Sequence, residues 1–125
     1  MLLTRNSIFV IFERVTMKII HYKTASGRDP VSDYVLKLTE KNRQIIAEDL
    51  ILIGRNGLDA PQVQFRQIEG KLWEIKTGEG TQQRIFYCII TGQIMVLLHA
   101  CKKQKTGSQH KDVEKAKKRM KEVLL

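Results

Sequence analysis

Apolar and polar positions change period several times along the chain, and each change marks an element. Lys18–Lys23 (KIIHYK) is rich in Ile and Tyr and reads as a first strand. From Val31 the period becomes helical. Val31, Tyr34, Val35 and Leu38 recur at i, i+3, i+4 and i+7, and Asp29-Pro30 supplies a cap followed by a residue suited to the first helical position. Ile45, Ile46, Leu50 and Ile53 mark a second helix from about Lys41 to Ile53, closed by Gly54 and the Asn56-Gly57 pair. Two helices joined by a short polar turn form a helical hairpin. Leu58–Glu69 keeps no clear period. Its Pro61 and mixed polarity predict a loop with a helical turn near Val63–Gln67.

A period of two then dominates. Leu72–Thr77, Gln82–Ile90 and Gln93–Cys101 read as three strands, joined by Gly78/Gly80 and by the Thr91-Gly92 turn. On the middle strand, Gln82, Arg84, Phe86, Cys88 and Ile90 share one face, while Ile85, Tyr87 and Ile89 share the other. The last strand is apolar on both faces from Ile94 to Leu98, which predicts a central position with both sides covered. Lys102–Gln109 is a basic loop. A final helix runs from His110 or Lys111 to Leu124, with Val113, Ala116, Met120, Val123 and Leu124 as its apolar stripe and lysines over the rest of its surface. The order is β-α-α-β-β-β-α. The fold class is α+β, a small antiparallel sheet with an N-terminal helical hairpin and a C-terminal basic helix.

Residues 1–16 stand apart. Ile8–Phe12 is an apolar run with Arg5 upstream, but it is short and is followed by Glu13 and Arg14 rather than by a small-residue cleavage site. Met17-Lys18 begins a self-contained pattern. The domain is therefore expected over residues 17–125, with 1–16 either an upstream start-site extension or an added edge segment.

A length of 125 residues is that of one domain. No uninterrupted apolar run is long enough for a transmembrane helix, so no membrane span is expected. The net charge of +9 points to nucleic acid, an anionic surface or an acidic protein. Eight Lys and one Arg against three carboxylates from His99 to Leu125 hold six of those nine charges. Cys88 and Cys101 fall inside strands with no Cys/His ligand spacing, so buried thiols in a reducing compartment are expected, and no metal and no cofactor. His21 shows no nearby partner and reads as structural.

The run Leu72-Trp73-Glu74-Ile75-Lys76, then Gln83-Arg84-Ile85-Phe86-Tyr87, then Leu97-Leu98-His99-Ala100, then Lys102-Lys103 and an Ala116-Lys117-Lys118-Arg119 helix resembles the phage-derived HigB-like toxins of the RelE/ParE superfamily. The order and spacing of the motifs carry the resemblance, which spans residues 17–125. Lys76 stands where arginine is usual. Gln83 and Cys101 stand where aromatics are common, and Gly107-Ser108-Gln109 lacks the usual proline. The resemblance implies a RelE-like fold and the toxin of a type II toxin–antitoxin pair, usually a ribosome-dependent messenger-RNA endonuclease in the cytoplasm. It also implies a small helix-turn-helix (HigA-like) antitoxin, the ribosome and mRNA as partners. A gyrase poison on the same fold and a non-catalytic RNA-binding module remain the rival readings.

Cleavage of that kind uses the RNA 2′-hydroxyl as nucleophile. It needs proton removal, charge stabilisation on the crowded phosphate and protonation of the leaving oxygen, without a metal. Arg84, an arginine inside an apolar strand, is the first choice for a phosphate clamp; a salt bridge to Glu74 is its structural alternative, and the two are compatible, with Glu74 orienting Arg84. Lys102, Lys103 and Lys105 follow at a strand end, any one of them a candidate acid or base. His99 is either a proton-transfer group or a satisfied buried histidine, since strict alternation places it with Met95 and Leu97. Lys76, Tyr87, Lys111 and Lys118 are the candidate RNA contacts.

Overall fold

The computed structural model describes residues 16–105 and 109–124. The apolar run at Ile8–Phe12 and the Gly107-Ser108 pair lie outside the described residues. The elements are β1 (Lys18–His21), α1 (Pro30–Leu36), α2 (Glu40–Asn56), β2 (Gln64–Glu69), β3 (Leu72–Thr77), β4 (Gln83–Thr91), β5 (Ile94–Lys102) and α3 (His110–Leu124). They build one five-stranded sheet in the order β1-β5-β4-β3-β2. All pairings are antiparallel except β1 with β5, which run parallel with Lys18 opposite Ile94 and His21 opposite Leu97. The fold is α+β, as the sequence pattern predicts, with β5 in the interior of the sheet.

The two faces of the sheet bury separate cores. On one, Val31 of α1 and Ile46 and Ile53 of α2 pack on Ile75, Ile85, Tyr87, Met95 and Leu97. On the other, Ala116 of α3, with Val113, Met120 and Val123, packs on Leu72, Phe86, Cys88, Val96 and Leu98. This explains the double-sided apolar character of β4 and β5. Leu124 departs from the expected stripe: it is 38% exposed beyond the sheet.

α1 starts where its cap predicts, and α2 starts at Glu40, one residue before the expected Lys41. Asp29 accepts from the Ser32 N–H and Pro30 opens α1, while Thr39 accepts from the Asn42 N–H at the start of α2. His21, read as structural, bonds Asp29 Oδ2 at 2.8 Å and lies 3.2 Å from Ser32 Oγ. α2 does not stop at Ile53. It continues through Gly54, whose carbonyl accepts the N–H groups of Thr16 and Met17, and ends at Gly57 with φ +64.

Two departures matter for the site. First, the expected loop at Leu58–Glu69 contains β2, an edge strand with Phe65 on the α1–α2 face and Ile68 on the α3 face. It pairs with β3 through the two-residue turn Gly70-Lys71, where Gly70 takes φ +55. An edge strand needs few apolar side chains, so its period was hidden among polar residues. Second, β5 carries a bulge. Leu97 lies opposite Tyr87 and His99 opposite Phe86, so Leu98 is the extra residue. The bulge breaks the strict alternation that placed His99 with Met95 and Leu97. His99 turns instead to the α3 face and stacks on Phe86, ring centroids 6.1 Å apart.

Candidate nucleic-acid interface

The end of β5 and the start of β4 form a cleft of about 400 Å³ lined by Gln82, Lys103, Gln104 and Lys105. β5 delivers the lysines because its last residue, Lys102, is still paired with Gln83, after which the chain leaves the sheet. The Lys103 N–H donates to the Gln82 carbonyl at 2.7 Å and fixes the two walls together. Lys102, Lys103 and Lys105 are all exposed. Gln82 and Gln104 were not anticipated from the sequence, since isolated polar residues beside a glycine turn carry no distinctive signal.

Arg84 lies behind the Gln82 wall and is 6% exposed. Its Nε faces Glu74 Oε1 at 3.7 Å, and its Nη1 donates to the carbonyls of Thr81 and Gln83. Arg66, on β2, donates to Glu74 Oε2 at 2.7 Å from the other side. One carboxylate, 1% exposed, is thus held between two guanidinium groups. The expected pair with Glu74 is present, and Arg84 is turned inward and fastens the turn Glu79–Thr81 through the Thr81 carbonyl. That turn has consecutive positive φ values at Gly80 (+57) and Thr81 (+52), uncommon for a β-branched residue. Asn42 of α2 holds its start by accepting from the Glu79 N–H at 2.8 Å.

The other candidates separate. Lys76 is half-buried opposite Arg84 across β3–β4. Lys111 and Lys118 are exposed on α3, outside the cleft lining. Tyr87 is 1% exposed, edge-on to Phe65 in the α1–α2 core, and cannot stack on a base without unfolding that core. Burial raises its hydroxyl well above the ordinary tyrosine value.

His99 lies below the lysines and ties β5 to α3. Its Nε2 is 2.7 Å from Asp112 Oδ1, and its Nδ1 is 3.2 Å from Arg119 Nη1, which also donates to the Leu98 carbonyl at 2.9 Å. An arginine can only donate, so Nδ1 accepts and Nε2 carries the proton towards Asp112. Burial lowers the His99 pKa, against the opposing pull of Asp112. Both ring nitrogens are engaged within the protein, the satisfied arrangement that stood as one of its two readings. Gln109 Nε2 bridges Asp112 Oδ2 at 3.0 Å and Cys101 Sγ at 3.3 Å. Burial, helped by Asp112, pushes the Cys101 thiol up to about 12.

Fold and site together define a small basic α+β domain that presents a lysine-lined cleft at one end of its sheet. The chain belongs to the Gp49-like family of phage-derived proteins (DUF891), whose family model matches residues 33–121, more than two-thirds of its length. That family is associated with toxin–antitoxin systems, and an antitoxin is the partner it implies. No curated protein matches the chain. Among the described residues, no helix is long and apolar enough to cross a membrane.

Proposed function

We propose that the protein is the toxin of a type II toxin–antitoxin pair and an endoribonuclease that cuts messenger RNA on the ribosome. The observation that carries this reading is the cleft itself: two lysines with two amide side chains, and a third lysine at the strand end beside them. Such a surface suits a single-stranded phosphate backbone. The lysine ammonium groups hold the scissile phosphate and offset the charge that builds on it as the 2′-hydroxyl attacks. Gln82 and Gln104 offer amide donors and acceptors to sugar and base edges. Arg84 does not touch RNA in this reading. It is a positioning residue that keeps the Thr81 turn, and with it the Gln82 wall, in place.

A small cleft without an obvious histidine pair is expected to be slow alone. The ribosome supplies the missing orientation by presenting one codon in a fixed path. Cytoplasmic action and a helix-turn-helix antitoxin of the HigA type follow from the same reading.

The test is induced expression with 5′-end mapping of cellular messages. Wild type is compared with a variant carrying Lys102→Gln, Lys103→Gln and Lys105→Gln. In-frame cuts in translated messages, lost in the variant, are the expected result. Growth arrest with intact messages and damaged DNA would sink the nuclease reading in favour of a gyrase poison. Salt-sensitive RNA binding with no cuts on ribosomes would leave a binding module.

A further inference from the structure

Three metal-ligand side chains meet where the end of β5 approaches the first turn of α3. His99 and Cys101 are two residues apart on β5, and the bulge at Leu98 turns both towards α3. Asp112 reaches back from the first turn of α3. His99, Cys101 and Asp112 each offer one ligand atom here, and the three atoms lie within 4.8 Å of one another. We propose that His99, Cys101 and Asp112 bind a divalent transition-metal ion of the zinc class, and that the ion clasps the two ends of the basic loop 102–109.

The donor chemistry selects the ion. Imidazole, thiolate and carboxylate suit zinc and its neighbours, whereas magnesium and calcium take oxygen ligands. The distances are close to what binding needs. With bonds of about 2.0–2.3 Å, tetrahedral donors sit roughly 3.3–3.8 Å apart, so His99 and Asp112 have to separate by less than about 1 Å from their present 2.7 Å. The site is sheltered but reachable, with Cys101 7% exposed and the His99 and Asp112 side chains 13% and 21% exposed. Gln109 is a second, independent pointer. Its amide nitrogen donates to both Cys101 Sγ and Asp112 Oδ2, so a group of positive character already bridges the thiol and the carboxylate.

Thiolate and carboxylate offset the two charges of the ion within the complex, and because one thiol proton leaves as the dication enters, the region gains a single positive charge. On binding, the Cys101 thiol proton leaves to solvent and the His99 ring proton moves from Nε2 to Nδ1. Arg119 then gives up its contact with Nδ1. It keeps the Leu98 carbonyl at 2.9 Å and the Tyr22 ring, whose centroid is 5.2 Å from the guanidinium carbon. Water completes the fourth position. Because Cys101 precedes the loop and Asp112 follows it, the ion would fasten both ends whether or not the protein cuts RNA.

The test uses the full, tag-free chain, reduced and metal-free, titrated with Co²⁺ under argon and then with Zn²⁺. The expected result is one Co²⁺ per chain. It should show a near-ultraviolet thiolate-to-cobalt band and the visible bands of a tetrahedral site, both bleached by Zn²⁺. Cys101→Ser should lose the near-ultraviolet band, Asp112→Asn should weaken binding at least tenfold, and Cys88→Ser should match wild type. No thiolate band in wild type, or a band that survives Cys101→Ser, overturns the proposal. Should Cys101→Ser fail to fold, X-ray absorption of the wild-type zinc complex decides: one sulfur and one imidazole in the ligand shell support the site, and an all-oxygen/nitrogen shell without imidazole overturns it.

Discussion

Gly78 and Arg84 shape the same turn from opposite directions. Gly78 has φ +79, and a Cβ there would sit 2.5 Å from Gln83 Cγ and 2.8 Å from Asn42 Oδ1. Gly78→Ala is therefore expected to destabilise the protein by about 2 kcal/mol through backbone strain and crowding, read as a lower urea midpoint with an unchanged slope. Arg84→Met leaves Glu74 buried with Arg66 as its remaining ion-pair partner. Breaking a buried pair from one side costs about 3 kcal/mol, and chemical denaturation measures it. A loss near zero would mean that Arg66 alone satisfies Glu74. Asp29 gives a pH-dependent case. Burial pushes its carboxyl up, but the Ser32 backbone and hydroxyl bonds and His21 outweigh that, and its pKa ends below the ordinary value. A depressed carboxylate stabilises the fold above its unfolded-state pKa and loses that contribution as pH falls through its folded-state pKa. Asp29→Asn should therefore flatten the acid limb of stability against pH while leaving a smaller difference below it, as followed by thermal melts across the acid range.

At the scale of elements, the sequence was readable wherever burial imposed a period. The helix caps at Asp29 and the stripe at Ile46 and Ile53 were legible because one face of each helix meets a core. β2 was not, because an edge strand flanked by solvent tolerates Gln64, Arg66 and Gln67 in a row of polar side chains. The His99 face was misread for a different reason. A bulge is a property of two paired strands, and neither β4 nor β5 announces it alone. The lysine cluster could be seen as charge. Its partners Gln82 and Gln104, and the Asp112 that reaches His99 across the loop, depend on tertiary approach. α3 shows how tight that approach is: Ala116 is fully buried against the sheet. Ala116→Leu should overpack this contact and cost about 2 kcal/mol, again by denaturation. An unchanged midpoint would show that α3 can lift from the sheet without penalty.

Across the whole molecule the charge is segregated. From Arg28 to Asn56, five basic residues meet five acidic ones, so the α1–α2 layer is neutral. Six of the nine excess charges lie from His99 onward, in the region of β5 and α3, which would give the proposed RNA substrate a direction of approach. For single strands, each phosphate neutralised adds about −0.7 to the slope of log affinity against log salt. Removing Lys102, Lys103 and Lys105 together should therefore flatten that slope by about 2, measured by fluorescence anisotropy on a short RNA. An unchanged slope would place the bound strand elsewhere. The sheet order has a further consequence, for the life history of the chain. β5 lies between β1 and β4, so β1, the first of the described strands, has no sheet neighbour until β5, the last of them, has been translated. During synthesis β1 must wait, and only β2, β3 and β4 can begin to pair behind it. The lysine cleft, built on the β4–β5 end, is thus assembled only after the chain has been made as far as Lys105. If the proposed function holds, the chain is in this way unarmed towards the ribosome that is making it.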